Sequence, residues 1–206
     1  MDEKKYISEH QMEHLTIERL HNLWDYYLLI ENDMAQTSQY VEPVGQEKVY
    51  SLEFAKIIVL VCTEVDSVMN QICYELSGET QGEIKEYKGI ILEYIPKIVT
   101  AKVTIPRWNK TIRPFSRWNK GPLAWWKTYT DVKHWRSIEF KQANYKNAVV
   151  TLSALYLLIL YLADICGYSV DTDKSQYISC EYIRQNFFVA PPIMLPGMVE
   201  YHKIHG

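Results

Sequence analysis

No GxxxxGK[ST], GxGxxG or HExxH run occurs in this chain, so a P-loop nucleotide hydrolase, a dinucleotide-binding fold and a zinc protease have no motif to rest on. Cysteine is scarce: Cys62, Cys73, Cys166 and Cys180 form no CxxC pair. That sparsity argues against a disulfide scaffold or a zinc finger and fits a reduced, cytoplasmic protein. The start, MDEKKYISEHQMEH, is charged throughout and lacks the apolar centre of a secretory signal. The one run that resembles a membrane span, AVVTLSALYLLILYLA over 148–163, has 16 residues, short of the roughly 20 a span needs. Thr151, Ser153, Tyr156 and Tyr161 interrupt it, and Lys146 and Asp164 bound it. It reads as the central helix of a bundle, buried on most sides, with no membrane association.

What is present is a packed chain with a lopsided charge. Its 206 residues are 48% hydrophobic and include 16 Tyr and 6 Trp, enough to bury a sizeable core as one domain. Residues 1–96 carry seven bases against eighteen acids, residues 97–136 ten against one, and residues 137–206 five against six. The segment charges are therefore −11, +9 and −1 beneath an overall −3. A basic, Trp-rich segment of that kind is a candidate surface for RNA; alternatively, the acidic N-terminal third neutralises it in the fold.

Periodicity predicts mostly helices. Apolar residues at helical spacing mark 13–33, followed by a polar connection at 35–45. Phe54, Ile58, Val61, Val65, Val68, Ile72 and Leu76 form one stripe through 47–76, which Gly78 ends. A third helix at 83–94 stops before Pro96. KIVTAKVTIP over 97–106 alternates and predicts a short strand. The next helix runs from Leu123 to about Phe140, then comes the core helix, which Gly167 stops. The organisation is N-terminal helices 13–95, a basic Trp-rich insertion 97–122, helices 123–167 and an irregular tail 171–206 that packs as a small β layer over the insertion.

The insertion holds a near-repeat. Arg107-Trp108-Asn109-Lys110 recurs as Arg117-Trp118-Asn119-Lys120. Each unit offers cations for phosphates and an aromatic plate for a base in a single strand. The competing reading has the Trp rings capping the bundle while Arg and Lys face water.

Chemistry concentrates in the helix that follows. At about 100 degrees per residue, Lys127, Asp131 and His134 fall within about 60 degrees of one another. An Asp one turn before a His can orient the imidazole and raise its basicity, and a Lys one turn earlier can hold an anion there. The plainer reading is a surface Asp-His pair that stabilises the helix.

The run WWKTYTDVKHWRSIEFKQANYKNAVVTLSALYLLILYLA, preceded by the acidic helix with Cys62-Thr63-Glu64-Val65-Asp66, resembles the HEPN-type helical domains of bacterial defence and toxin-antitoxin proteins. The resemblance covers residues 47–167. It implies a mainly α fold, a four- to five-helix bundle with a small β or extended insertion around 97–120. It also implies a homodimer that brings two polar motifs together in a cleft and cleaves RNA without a metal or other cofactor. An antitoxin or defence partner protein would accompany it. His134 takes the place of the family's catalytic His, while Tyr129 and Thr130 stand where catalytic members carry Arg and Asn. Lys127, Lys133 or Arg136 would then supply the positive charge that the missing Arg gives the transition state. Within one regular helix only Lys127 lies beside His134, so Lys133 and Arg136 would need a partner subunit or a distorted helix. Glu64 and Asp66 stand on opposite flanks of their helix, where the family keeps polar cleft residues. The resemblance also leaves room for a non-catalytic dimeric binding or scaffold module.

Two further groups are weaker. His10, His14, Glu18 and His21 fall at steps of four, four and three, a spacing able to present metal ligands but more in keeping with an exposed polar face. Cys62 and Cys73 project beside the apolar stripe as buried structural thiols.

Overall fold

The computed structural model describes residues 12–42 and 44–180, except the side chain of Arg136, and is mainly helical. His10, the tail beyond 180 and the Arg136 side chain lie outside the described part. Five α-helices are present among the described residues: α1 Ile17–Ser38, α2 Leu52–Ser77, α3 Ile84–Tyr94, α4 Ala124–Glu139 and α5 Tyr145–Ile165.

Local chemistry sets most of the ends. Thr16 accepts from the Arg19 N–H to open α1, Ser51 from Phe54 to open α2, and Asn144 from Asn147 to open α5. Gly78 and Gly167 take φ of 76° and 71°, a left-handed conformation that glycine adopts without a Cβ clash. Helix α1 runs five residues beyond the expected 33 because Met34 and Ser38 extend its buried face. Helix α2 starts five residues later than the expected 47. The segment before it pairs instead with the entry to α5: Ser51 N–H donates to Ala143 O at 3.1 Å and Tyr145 N–H to Val49 O at 2.9 Å.

Helix α5 is the axis of the fold. It packs chiefly against α2, with α1 and α4 alongside. It is long and apolar enough to cross a membrane by length and composition, yet 83% of its apolar window is buried by the rest of the protein. Its role as an almost wholly buried core helix agrees with the sequence.

The insertion is less extended than the alternation suggests. Pro96 fixes φ and starts a 3-10 helix, Pro96–Thr100, so only β1 Val103–Ile105 is strand. It pairs antiparallel with β2 Lys110–Ile112 through a turn in which Asn109 has φ of 49°. Ser179 adds to the outer edge: Thr104 N–H donates to Ser179 O at 2.7 Å and Ser179 N–H to Thr104 O at 3.0 Å. The described start of the tail thus lies over the insertion.

Candidate nucleic-acid interface

The outer side of α4 carries Lys127, Lys133 and His134. Trp125, Tyr129 and Val132 hold its inner side down; Val132 packs with Ala55, Val59, Ala143 and Phe140 between α2 and the start of α5. Aromatic contacts extend the anchor, from Phe115 against Trp125 at 5.9 Å to Trp126 against Tyr129 at 5.2 Å. Tyr129, at the position where the resemblance expects Arg, is therefore a buried packing residue.

Lys127, Asp131, Lys133 and His134 remain toward solvent, but they divide differently from the wheel. Lys127 Nζ donates to Asp131 Oδ2 at 2.6 Å, and that bond raises the lysine above its ordinary range. No hydrogen bond joins Asp131 to His134 among the described residues. The expected orienting pair is thus replaced by an i,i+4 ion pair between Lys127 and Asp131. His134 instead shares an open depression of about 510 Å³ with Leu52, Lys133, Ser137 and Phe140. Lys133 reaches the same place as His134 without a partner subunit. The helix is distorted at Trp135, whose φ of −125° and ψ of 27° leave the helical range.

Lys133 has two more neighbours. Its Nζ lies 5.4 Å from the centroid of the Tyr129 ring. It also faces Asp66: burial pushes the Asp66 carboxyl up, while the Tyr87 hydroxyl and the positive charge of Lys133 pull it back. Glu64 is pushed up by burial with no such opposing cation. Of the two expected cleft acids, Asp66 is the one tied electrostatically to α4.

The RWNK repeat serves the fold. Trp108 and Trp118 are 5% and 1% exposed, so neither ring can stack on a base, and the reading of both as capping residues holds. Trp108 meets Tyr145 edge-on at 5.2 Å. Arg107 donates through Nη2 to Ser38 O at 2.7 Å and Val41 O at 3.0 Å, satisfying carbonyls at the α1 C-terminus. Lys110 pairs with Glu47 at 3.0 Å. Arg117 and Lys120 are exposed.

Residues outside the sequence reading complete the surface. Tyr50 is 45% exposed and its ring contacts Phe140 edge-on at 5.3 Å. Leu52, Trp135 and Ile138 are also exposed. Ser137 was legible as the i+3 neighbour of His134; Tyr50 was hidden because its segment carries helix-like spacing. The His14 ring pairs with Glu75 at 2.9 Å, and among the described residues no group of three His, Cys, Asp or Glu is placed to hold a metal ion. Cys62 and Cys73 are buried thiols; desolvation pushes both up, Cys73 to about 12. No family model, curated protein or solved structure matches this chain.

Proposed function

We propose that this chain is a HEPN-like, RNA-directed protein of the cytoplasm, a metal-independent endoribonuclease of the defence or toxin type. The observation that carries the reading is the open depression in which His134, Lys133 and Ser137 stand together beside exposed apolar side chains. His134 is the acid-base residue. In the reaction the ribose 2′-oxygen bonds to phosphorus as its proton passes to an imidazole, the bond to the 5′-oxygen breaks, and that oxygen takes a proton from an imidazolium. The products are a cyclic phosphate and a 5′-hydroxyl end. A homodimer would supply two His134 rings for these two transfers, and Trp135 and Ile138, 59% and 73% exposed, offer apolar area for it. Lys133 replaces the absent Arg as the charge nearest the phosphate. An antitoxin or defence partner protein belongs to the same reading.

Incubation of the purified protein with single-stranded RNA and EDTA, beside His134→Ala, tests this. Shortened RNA with cyclic phosphate ends, intact DNA, and a loss of at least about 100-fold in the variant are expected. Equal cleavage by the variant would remove His134 from the chemistry. No binding at low salt would remove RNA altogether.

One observation favours a second reading, a bundle that binds RNA or a protein partner without cutting. Asp131 is held by Lys127 and so does not orient His134. Undiminished RNA binding by wild type with no cleavage under any of these conditions would select it.

A further inference from the structure

Tyr50 lines one depression, of about 400 Å³, together with Gly45, Gln46, Lys48 and Val49. Its ring touches Phe140, which lines the His134 depression with Lys133, Ser137 and Leu52. The Tyr50–Phe140 ring contact at 5.3 Å joins the two.

The tyrosine is held in place. Val49 O accepts from Tyr145 N–H at 2.9 Å and Ser51 N–H donates to Ala143 O at 3.1 Å, so ladder bonds fix the backbone on both sides of it. Phe140 limits the ring's rotation, yet nearly half of the residue faces solvent. A pre-positioned, exposed aromatic ring loses little rotamer freedom when a flat ligand stacks on it. Each of these depressions holds a lysine, Lys133 in one and Lys48 in the other. Cations flanking an aromatic plate are the pattern that holds single-stranded nucleic acid, with phosphates on the charges and a base on the ring.

We propose that Tyr50 is a nucleobase-stacking residue and that a single RNA strand runs from the Lys133–His134 depression across Tyr50 to Lys48. This rests on the RNA-directed reading and specifies its substrate as unpaired RNA. A duplex, whose bases stack on one another, has no free face to offer the ring.

The test is fluorescence anisotropy with a labelled oligoadenosine of about twelve nucleotides, an abasic ribose-phosphate strand of the same length, and a series of salt concentrations. His134→Ala serves as the background so that the strand stays whole. Tyr50→Ala weakens oligoadenosine binding about tenfold and leaves the salt slope unchanged, because a stacked base releases no counterions. Tyr50→Phe keeps the affinity, and its normal melting curve separates stacking from folding. Lys48→Ala lowers the slope by about 0.7. Tyr50→Ala binding within about twofold of its parent, or an abasic strand bound as tightly as oligoadenosine, overturns the stacking proposal while leaving RNA binding in place. Absence of binding by any form overturns both.

Discussion

Glu31 is the most consequential single side chain outside the candidate site. It is buried in α1 and accepts from the Tyr27 hydroxyl at 3.0 Å, Ser175 Oγ at 2.6 Å and the N–H groups of Gln176, Tyr177 and Ile178 at 3.2, 3.3 and 3.2 Å. Burying a carboxylate is costly, and these five donors offset that cost while tying the tail to the first helix. Glu31→Ala leaves the donors unsatisfied and lowers stability by about 3 kcal/mol in urea titration. The amides of 176–178 then exchange faster than those of α5. The sequence carries no mark of this clamp, because every donor but Tyr27 lies 144 residues or more away. The two RWNK units show a related limit. Their composition suits a phosphate and base contact, but a Trp in a loop can point either way, and only the neighbours Tyr145 and Phe115 decide that both rings turn inward.

Helix α4 shows what periodicity reads and what it misses. Its position and inner face were legible, since Trp125, Tyr129 and Val132 recur at steps of four and three and are all buried. The break at Trp135 was not. Val132 and Phe140 both pack against the Ala55 cluster, but eight residues of regular helix would set them about 80 degrees apart. That separation still fits within one apolar stripe, so both side chains reach the same neighbours whether or not the helix departs from regular geometry at Trp135. Lys133, His134, Ser137 and Phe140 share about a third of a regular helix's circumference, so their common depression follows from ordinary helical spacing. Val132 is therefore the pin that holds the candidate site's helix against the bundle. Val132→Ala costs about 2 kcal/mol by denaturant unfolding, the loss of two buried methyl groups with a residual cavity. RNA affinity at a temperature where the variant is still folded falls as well, since the cations on α4 lose their fixed register.

Across the whole molecule, the charge imbalance is partly cancelled and partly displayed. Lys110 is matched by Glu47, Lys127 by Asp131, and Lys133 is opposed by Asp66 from α2, while Arg117 and Lys120 face solvent. Acids of the N-terminal third thus offset Lys110 and Lys133, Lys127 is paired within its own helix, and Arg117 and Lys120 are left exposed. The acids that do the cancelling titrate in opposite senses. Glu47 is held below the usual carboxylate range by backbone hydrogen bonds and by Lys110, so its contribution is present at neutral pH and is lost as pH falls through its folded-state value. Burial lifts Asp66 and Glu64. Their contribution is greatest below the unfolded value and is lost as pH rises through the folded one, so each costs stability at neutral pH. Asp66→Asn removes that cost for one of them. Because Asp66 is only half-buried and Lys133 and Tyr87 already compensate in part, the gain is under about 1 kcal/mol. A thermal melt shows it as a higher Tm at pH 8 that converges on wild type below about pH 3, where the aspartate is protonated in both folded and unfolded chains. The substitution also frees Lys133 from its only described electrostatic counter-charge on α2. RNA binding at low salt therefore tightens in the same variant, and the gain fades as salt screens the field. A stabilised Asp66→Asn protein with unchanged RNA affinity at low salt would mean that Lys133 is not in contact with the strand.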